Sequence, residues 1–141
     1  MQKVGNLLND KGTDVFSIAP DATVAEAIDM MAEHGIGSLL VMNDGFLRGI
    51  VTERDYARKV VAGGLSGEDS RVADIMTAEV CTTGIEQNID ECMILMTEKR
   101  IRHLPVVEGS KVVGIISIGD LMKAIVSDNQ RAIGALDQLA D

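Results

Sequence analysis

Two stretches decide the fold, GIVTERD at residues 49–55 and GIISIGD at residues 114–120. Each runs from a glycine through branched apolar residues to a hydroxyl and, three positions later, to a carboxylate. These polar pairs are Thr52 with Asp55 and Ser117 with Asp120. The two stretches lie 65 residues apart, which raises the question of whether the whole chain repeats at that offset.

The repeat extends over most of the sequence. Adding 65 to a position in the first half gives its counterpart in the second half without any gap. Identical pairs at this offset include Val15 and Val80, Glu26 and Glu91, Met31 and Met96, Leu39 and Leu104, and Val41 and Val106. The chain is therefore a tandem duplication of one unit.

The pattern within each unit predicts a strand, a helix, two strands and a second helix. In the first copy, Thr23 and Glu26 form a capping-box pattern and Gly35 ends the helix. Asn88 and Glu91 are predicted to cap the matching helix of the second copy. The first strands are predicted at 15–18 and 80–83, and apolar runs joined by NDG and EGSK predict hairpins. The fold class is α/β, with two tandem βαββα units.

These elements set the predicted boundaries along the chain. Repeat 1 covers residues 4–62, a Gly- and Ser-rich linker covers 63–71, and repeat 2 covers 72–126. Each repeat opens with a similar short lead-in, at 4–8 and at 72–76. Residues 127–141 form a helical tail, whose Ile133, Leu136 and Leu139 either offer a partner surface or fold back on the core.

Composition and charge restrict the function classes. The net charge of −9 disfavours binding to nucleic acid or to anionic membranes. No apolar run is long enough to span a membrane, and the first residues lack the apolar middle of a secretory signal, so the expected location is cytoplasmic. Cys81 and Cys92 are too few for a disulfide framework or a zinc site and are predicted to be buried, and no metal is expected to be required.

The hydroxyl and carboxylate pairs have two interpretations. As structure, the hydroxyl caps a helix and the carboxylate favours its first turn. As chemistry, a carboxylate accepts both hydroxyl protons of a ribose diol. The two interpretations are compatible, because a cap would fix the rotamers that a ribose site needs. An unusual cluster of cations, Lys99, Arg100, Arg102 and His103, is either a solvated face or a place for phosphate.

The sequence resembles a tandem pair of cystathionine-beta-synthase (CBS) domains, known as a Bateman module. The resemblance rests on GIGSLLVMNDG followed by GIVTERD, and on RIRHLPVVEG followed by GIISIGD. It covers residues 4–126, and the chain looks like a stand-alone CBS-pair protein. It implies two βαββα units packed about a pseudo-twofold axis, adenine nucleotides in two clefts between the units, and a disc-like homodimer.

The resemblance also implies roles for particular residues. Asp120 and Asp55 would bind ribose, supported by Ser117 and Thr52, and the phosphate-binding residues would be Arg102, His103 and Arg54. The adenine pocket would include Ile75, Met76, Thr82, Ile101, Pro105 and Ile118. The first copy departs from the pattern, because Gly37, Ser38 and Leu40 replace the counterparts Arg102, His103 and Pro105.

The expected function is a non-catalytic regulatory module that senses energy or redox state. Its ligand would be AMP, ADP, ATP or NAD(H), and binding would signal to an unknown protein partner by a conformational change. The alternative is a structural or protein-interaction module without a physiological ligand. Catalysis is disfavoured, because Ser117 lies in no nucleophile elbow and Asp120 is better placed to cap a helix than to orient His103.

Overall fold

The computed structural model describes residues 2–140, except for the side chains of residues 135 and 137–140. Its strands are β1 (Ser17–Ile18), β2 (Ser38–Asn43), β3 (Phe46–Thr52), β4 (His103–Glu108) and β5 (Lys111–Ser117). Its helices are α1 (Val4–Lys11), α2 (Val24–His34), α3 (Glu53–Asp55), α4 (Val72–Ile75), α5 (Ile89–Lys99) and α6 (Ile118–Ala140), and a π-helix (Tyr56–Val61) continues α3. The predicted class of mixed helix and strand is confirmed.

The chain forms two compact units. The first-copy unit consists of Asp14–Cys81 together with Gly109–Val112. The second-copy unit consists of the segment up to Thr13, Thr82–Glu108 and the segment from Val113 onward. Each unit therefore combines the sheet of one sequence repeat with the lead-in of the other: α4 belongs to the first-copy unit and α1 to the second-copy unit.

The first-copy unit is built on a three-stranded sheet in the order β1-β2-β3. β1 runs parallel to β2, with Ser17 opposite Leu40, and β2 and β3 form the predicted antiparallel hairpin. β1 is shorter than expected and comprises only two residues. The core of this unit comprises Ile18, Val24, Ala27, Met31, Leu39, Val41, Val51, Val60, Val72 and Ile75, all at least nine-tenths buried.

The lead-in of the second repeat closes one edge of this unit. Ile50 and Thr77 exchange two backbone hydrogen bonds of 3.0 and 2.9 Å, the pattern of an antiparallel bridge. The approach is close because residue 49 is a glycine. A Cβ at Gly49 would lie 2.7 Å from the Met76 sulfur and 2.8 Å from the Thr77 carbonyl oxygen.

The second-copy unit has a two-stranded sheet, the hairpin of β4 and β5. The strand predicted at 80–83 is not formed as a strand and is reduced to one parallel bridge, Thr83 with Val106. Thr83 still makes both ladder bonds, donating to Pro105 O at 3.0 Å and accepting from Val107 N at 2.8 Å. α1 packs here, and Gly114 provides its close approach, since a Cβ there would lie 2.8 Å from Leu8 Cδ2.

The helix ends confirm one capping prediction and correct another. Thr23 Oγ1 accepts from Glu26 N at 3.1 Å and Glu26 Oε2 accepts from Thr23 N at 3.0 Å, so the predicted capping box is present. The prediction for Asn88 is wrong: its side chain makes no cap hydrogen bond. Its side-chain amide N–H instead donates to the Glu91 carboxylate at 3.4 Å.

The tail belongs to α6, a helix of 23 residues. Ile133 and Leu136 are 58% and 65% exposed, so they do not fold back on the core of this chain. The side chain of Leu139 lies outside the described residues. Within the described part of the chain, no helix combines the length and the apolar character needed to cross a membrane.

Candidate functional site

The carboxylate of GIISIGD is fixed at the junction of β5 and α6. Asp120 Oδ2 accepts a hydrogen bond of 2.8 Å from the backbone N–H of Ser117. In return, Asp120 N donates to Ser117 Oγ at 3.1 Å. The predicted capping role of this pair is confirmed, and the reciprocal bonds hold the Asp120 rotamer.

A lysine that sequence reasoning missed completes this arrangement. Lys11, the last residue of α1, places its Nζ 2.9 Å from Asp120 Oδ2 and donates to the carbonyl oxygen of Ile115 at 2.6 Å. The Lys11 and Asp120 side chains are 28% and 22% exposed, so the pair is sheltered but reachable from solvent. Among the described residues, Ser117 and Lys11 both contact Oδ2, so the lone pairs of Oδ1 can accept from a further donor.

The electrostatics of Asp120 follow from these contacts. Its burial acts to raise the pKa, but the hydrogen bond from Lys11, the bonds from Ser117 and the charge of Lys11 outweigh burial, and the pKa of the carboxyl lies below its ordinary value. Asp120 is therefore an ionised acceptor at neutral pH.

The carboxylate of GIVTERD is held in a related way in the first-copy unit. Asp55 Oδ2 accepts from Thr52 N at 3.0 Å and from Thr52 Oγ1 at 3.1 Å, while Asp55 N donates to Thr52 Oγ1 at 3.2 Å. Lys59 places its Nζ 3.5 Å from Asp55 Oδ1 and donates to the carbonyl oxygen of Ile75 at 2.8 Å. The spacing of Asp55 and Lys59 is i,i+4, a signal by which the sequence could have revealed this contact.

Of the predicted phosphate-binding residues, Arg54 directly precedes Asp55 in the chain, whereas Arg102 and His103 precede Asp120 by 18 and 17 residues. Arg102 is exposed, and its carbonyl oxygen accepts from Ile118 N at 2.9 Å, which places it beside the start of α6. His103 is the half-buried first residue of β4. In the first-copy unit, Arg54 is exposed in α3, and Gly37 O accepts from Glu53 N at 3.1 Å, the equivalent of the contact at Arg102.

The predicted adenine-pocket residues are divided between the units. Thr82, Ile101, Pro105 and Ile118 lie in the second-copy unit with Asp120, whereas Ile75 and Met76 lie in the first-copy unit with Asp55. Pro105 and Ile75 are buried, Thr82 is exposed, and the other three are half-buried. At the first-copy positions, Ser38 and Leu40 are buried in β2.

Other features do not add to either arrangement. A cleft of about 860 Å³ in the second-copy unit is lined by Gln2, Asn6, Asn9, Asp10, Asp90, Ile125, Asp128, Asn129 and Arg131, none of them a predicted site residue. Among the described residues, no group of three His, Cys, Asp or Glu side chains could hold a metal ion. Cys92 is buried, and burial raises the pKa of its thiol, but Cys81 is only half-buried, contrary to expectation.

Comparison with known families identifies the duplicated unit. The family profile of the CBS domain matches twice, over residues 5–62 and 72–127. The chain belongs to the CBS-domain family. The predicted tandem CBS pair is thereby confirmed, and with it the expectation of a CBS-pair regulatory module.

Its relatives are CBS-domain proteins of several kinds. The CBS domain-containing protein CBSX3, mitochondrial, of Arabidopsis thaliana is 39% identical over 122 residues, which are 83% of this chain and 59% of that protein. The chain thus spans just under three fifths of the length of this curated relative. A CBS-domain protein from Burkholderia ambifaria has a solved structure with a TM-score of 0.87 and 48% identity, covering 90% of this chain and 96% of that one.

One solved relative contains ligands. The CBS domain pair of protein MJ0100, solved in complex with 5′-methylthioadenosine and S-adenosyl-L-methionine, is 25% identical with a TM-score of 0.81. The comparison covers 91% of this chain and 98% of that pair. Both ligands of that protein contain an adenosine group.

Proposed function

We propose that this CBS pair is a non-catalytic regulatory module that binds an adenine nucleotide, with Asp120 as the principal ribose-binding residue. The observation that carries the proposal is the geometry of that carboxylate. Ser117 and Lys11 both contact Oδ2, so the group is ionised and fixed in orientation while Oδ1 keeps its acceptor capacity. A ribose diol supplies the two donors that such a carboxylate takes.

The remaining groups suit the other parts of a nucleotide. Arg102 and His103 are assigned to the phosphate, since a guanidinium offers a planar fork that matches phosphate oxygens. The base is assigned to the apolar surface of Ile101, Pro105 and Ile118 with Thr82, because purines are held chiefly by apolar contact and a few polar groups. These residues lie in one unit with Asp120, which supports a common site.

The first-copy unit is assigned a second site of different character. Asp55 and Thr52 repeat the pair of carboxylate and hydroxyl, but Lys59 lies 3.5 Å from Oδ1, the oxygen that the Asp120 site leaves for ribose. Ile75 and Met76 are the apolar neighbours in the same unit. Arg54 is the phosphate partner here, because Gly37 and Ser38 stand where the other copy has its basic pair. We therefore expect weaker or different ligand binding at Asp55 than at Asp120.

Binding at Asp120 offers a route for signalling. Lys11 ties the end of α1 to Asp120 and to the Ile115 carbonyl. A ligand that binds the same carboxylate competes with or alters the Lys11 contact, and this changes how firmly the end of α1 is held in place. We assign the sensing of energy or redox state to this change at α1, and we expect a separate protein to bind the altered surface.

The choice among AMP, ADP, ATP and NAD(H) rests on groups beyond the adenosine that they share. The adenosine ligands of the MJ0100 pair support the adenosine half of the proposal. No metal is assigned a role. The expected location is the cytoplasm, although the Arabidopsis relative is named as mitochondrial.

A thermal-shift titration of the full chain tests this function. Saturating ligand at one hundred times its Kd stabilises a protein by about 2.7 kcal/mol. We expect at least one of AMP, ADP, ATP and NAD(H) to raise the melting temperature in proportion to the logarithm of its concentration. Asp120→Ala and Arg102→Ala should remove most of the rise, while Arg131→Ala, an exposed site on the tail of α6, should keep it.

Two results would contradict the proposal. If no adenine nucleotide shifts the melting temperature, the structural or protein-interaction module without a ligand is the better account. If the purified protein turns over a nucleotide and Ser117→Ala abolishes the turnover, the module is an enzyme.

We further propose that the chain associates as a homodimer through α6. Exposed apolar side chains at Met122, Val126, Ile133 and Leu136 follow steps of four, seven and three residues along this helix. Such spacing aligns them on one stripe that packs against the same stripe of a second helix. Twenty-three residues give a helix of about 35 Å, long enough for several layers of such contacts.

The oligomeric state tests this surface. We expect light scattering to give a dimer mass for the parent and a monomer mass for Ile133→Glu combined with Leu136→Glu. Ser127→Glu adds the same negative charge at an exposed position of this helix that lies off the stripe, and it should leave the dimer intact. A dimer that survives the double substitution would place the interface elsewhere.

A further inference from the structure

Each carboxylate assigned to ribose is contacted by a lysine, and the two lysines come from different positions of the repeat. Lys11 reaches Asp120 from α1, and Lys59 reaches Asp55 from the π-helix. At the 65-residue offset, Lys11 corresponds to a methionine and Lys59 to an alanine. Neither contact therefore follows from the duplication itself.

The two contacts share one feature, a second hydrogen bond to a main-chain carbonyl, although Lys11 lies 2.9 Å from Asp120 Oδ2 and Lys59 lies 3.5 Å from Asp55 Oδ1. Lys11 Nζ also donates to the carbonyl oxygen of Ile115 at 2.6 Å, and Lys59 Nζ donates to the carbonyl oxygen of Ile75 at 2.8 Å. In both units the ammonium thus bridges the motif carboxylate and a main-chain carbonyl. Two unrelated positions that each place an ammonium beside the motif carboxylate indicate a requirement of the carboxylate rather than of the local chain.

The requirement follows from the charge of the ligand. A carboxylate that binds ribose stands close to the phosphate of the same nucleotide, and two negative charges at such separation repel. Asp120 is only 22% exposed, so water screens this repulsion incompletely. An ammonium at 2.9 Å cancels the charge of Asp120 without occupying Oδ1.

Lys11 also has donor capacity left for the ligand. An ammonium carries three protons, and the contacts to Asp120 and Ile115 use two of them. With 28% of its side chain exposed, Lys11 has its third proton available to an anion that enters beside the carboxylate.

We propose that Lys11 is a specificity-determining residue that makes the Asp120 site prefer anionic nucleotides to uncharged nucleosides. The inference rests on the proposed adenine-nucleotide function and adds the charge of the preferred ligand. Lys11 acts partly through Asp120, so its effect is defined by the ratio of two affinities rather than by either affinity alone.

Calorimetric titrations of the full chain with AMP and with adenosine test the inference. Lys11→Met installs the side chain that the other repeat has at this position. We expect it to weaken AMP binding at one site about tenfold, equivalent to about 1.4 kcal/mol, and to change adenosine binding less than about threefold. Lys11→Arg keeps the charge and should restore most of the AMP preference.

Controls separate a charge effect from the loss of any lysine. Lys3 lies on the same segment and pairs with Glu86 at 3.0 Å in solvent, and Lys3→Met should leave both affinities unchanged. The first-copy site keeps its own lysine in every variant, so any binding at Asp55 should be unaltered.

The outcomes distinguish the two proposals. If the parent binds AMP and adenosine and Lys11→Met keeps their ratio, the role of Lys11 is refuted while the nucleotide function stands. If Lys11→Arg behaves like Lys11→Met, charge is not the cause and the inference also fails. If the parent binds neither AMP nor adenosine, the role of Lys11 is refuted, and the nucleotide function fails as well only if ADP, ATP and NAD(H) also leave the melting temperature unchanged.

Discussion

The ends of α2 and α5 offer a matched pair of substitutions, because both helices stop at a residue in the left-handed conformation. Gly35 has φ 64° and ψ 38°, and its counterpart Arg100 has φ 56° and ψ 43°. A residue with a Cβ pays about 1–2 kcal/mol for this conformation, and glycine does not. The second copy therefore bears a cost at Arg100 that the first copy avoids at Gly35.

Arg100→Gly should stabilise the protein. Relief of the left-handed strain stabilises the folded state by about 1–2 kcal/mol. The greater conformational freedom of glycine in the unfolded chain offsets about 0.5–1 kcal/mol of that gain. The net gain is about 0.5–1 kcal/mol in the free energy of unfolding, or about 2–4 °C in melting temperature for a chain of this length. Gly35→Ala should lower the free energy of unfolding by a similar amount. Nothing lies within 4 Å of a Cβ at that position, so the left-handed strain is not joined by a clash.

The assay is thermal and urea unfolding of both variants and of Arg100→Ala. Arg100→Ala removes the same positive charge but retains a Cβ, so it should give little gain. Equal stabilisation by Arg100→Ala and Arg100→Gly would refute the conformational argument and attribute the effect to charge.

Two further predictions concern the packing of the lead-in and the acid stability. Gly49→Ala should destabilise by more than about 1 kcal/mol in urea unfolding, because its Cβ would lie 2.8 Å from the Thr77 carbonyl, a backbone atom that cannot rotate away. Gly114→Ala should cost less, since the obstructing atoms are the methyl groups of Leu8, and equal costs would contradict this reasoning. The pKa of Asp120 lies below its ordinary value, so the group contributes stability that is complete above about pH 4 and is lost as the pH falls through the folded-state value. Melting temperatures between pH 7 and pH 3 should therefore fall less steeply for Asp120→Asn than for the parent, and identical slopes would exclude this contribution.

Features that depend on short stretches of chain were predictable. The hairpins follow from apolar runs and turn residues, and the Thr23, Thr52 and Ser117 caps follow from a hydroxyl and an acid three residues later. Each of these needs only neighbours within a few positions. The Asn88 prediction fails on the same local scale, because its side-chain amide donates to Glu91, three residues on, while the side chain makes no cap hydrogen bond.

The sequence by itself determined the duplication, the mixed fold and the positions of Asp55 and Asp120. The repeat shows as a constant offset, and each cap depends only on residues three positions apart. The contact of Asp55 with Lys59 is also local, at i,i+4, but only the tertiary structure decided which charge meets Asp120. Lys11 contacts Asp120 because α1 packs into the unit of the second copy, an arrangement that no local pattern encodes. Hydrogen bonds between neighbouring residues can be predicted from their spacing in the sequence. An ion pair between residues about a hundred positions apart forms only when the packing of apolar faces brings their elements together.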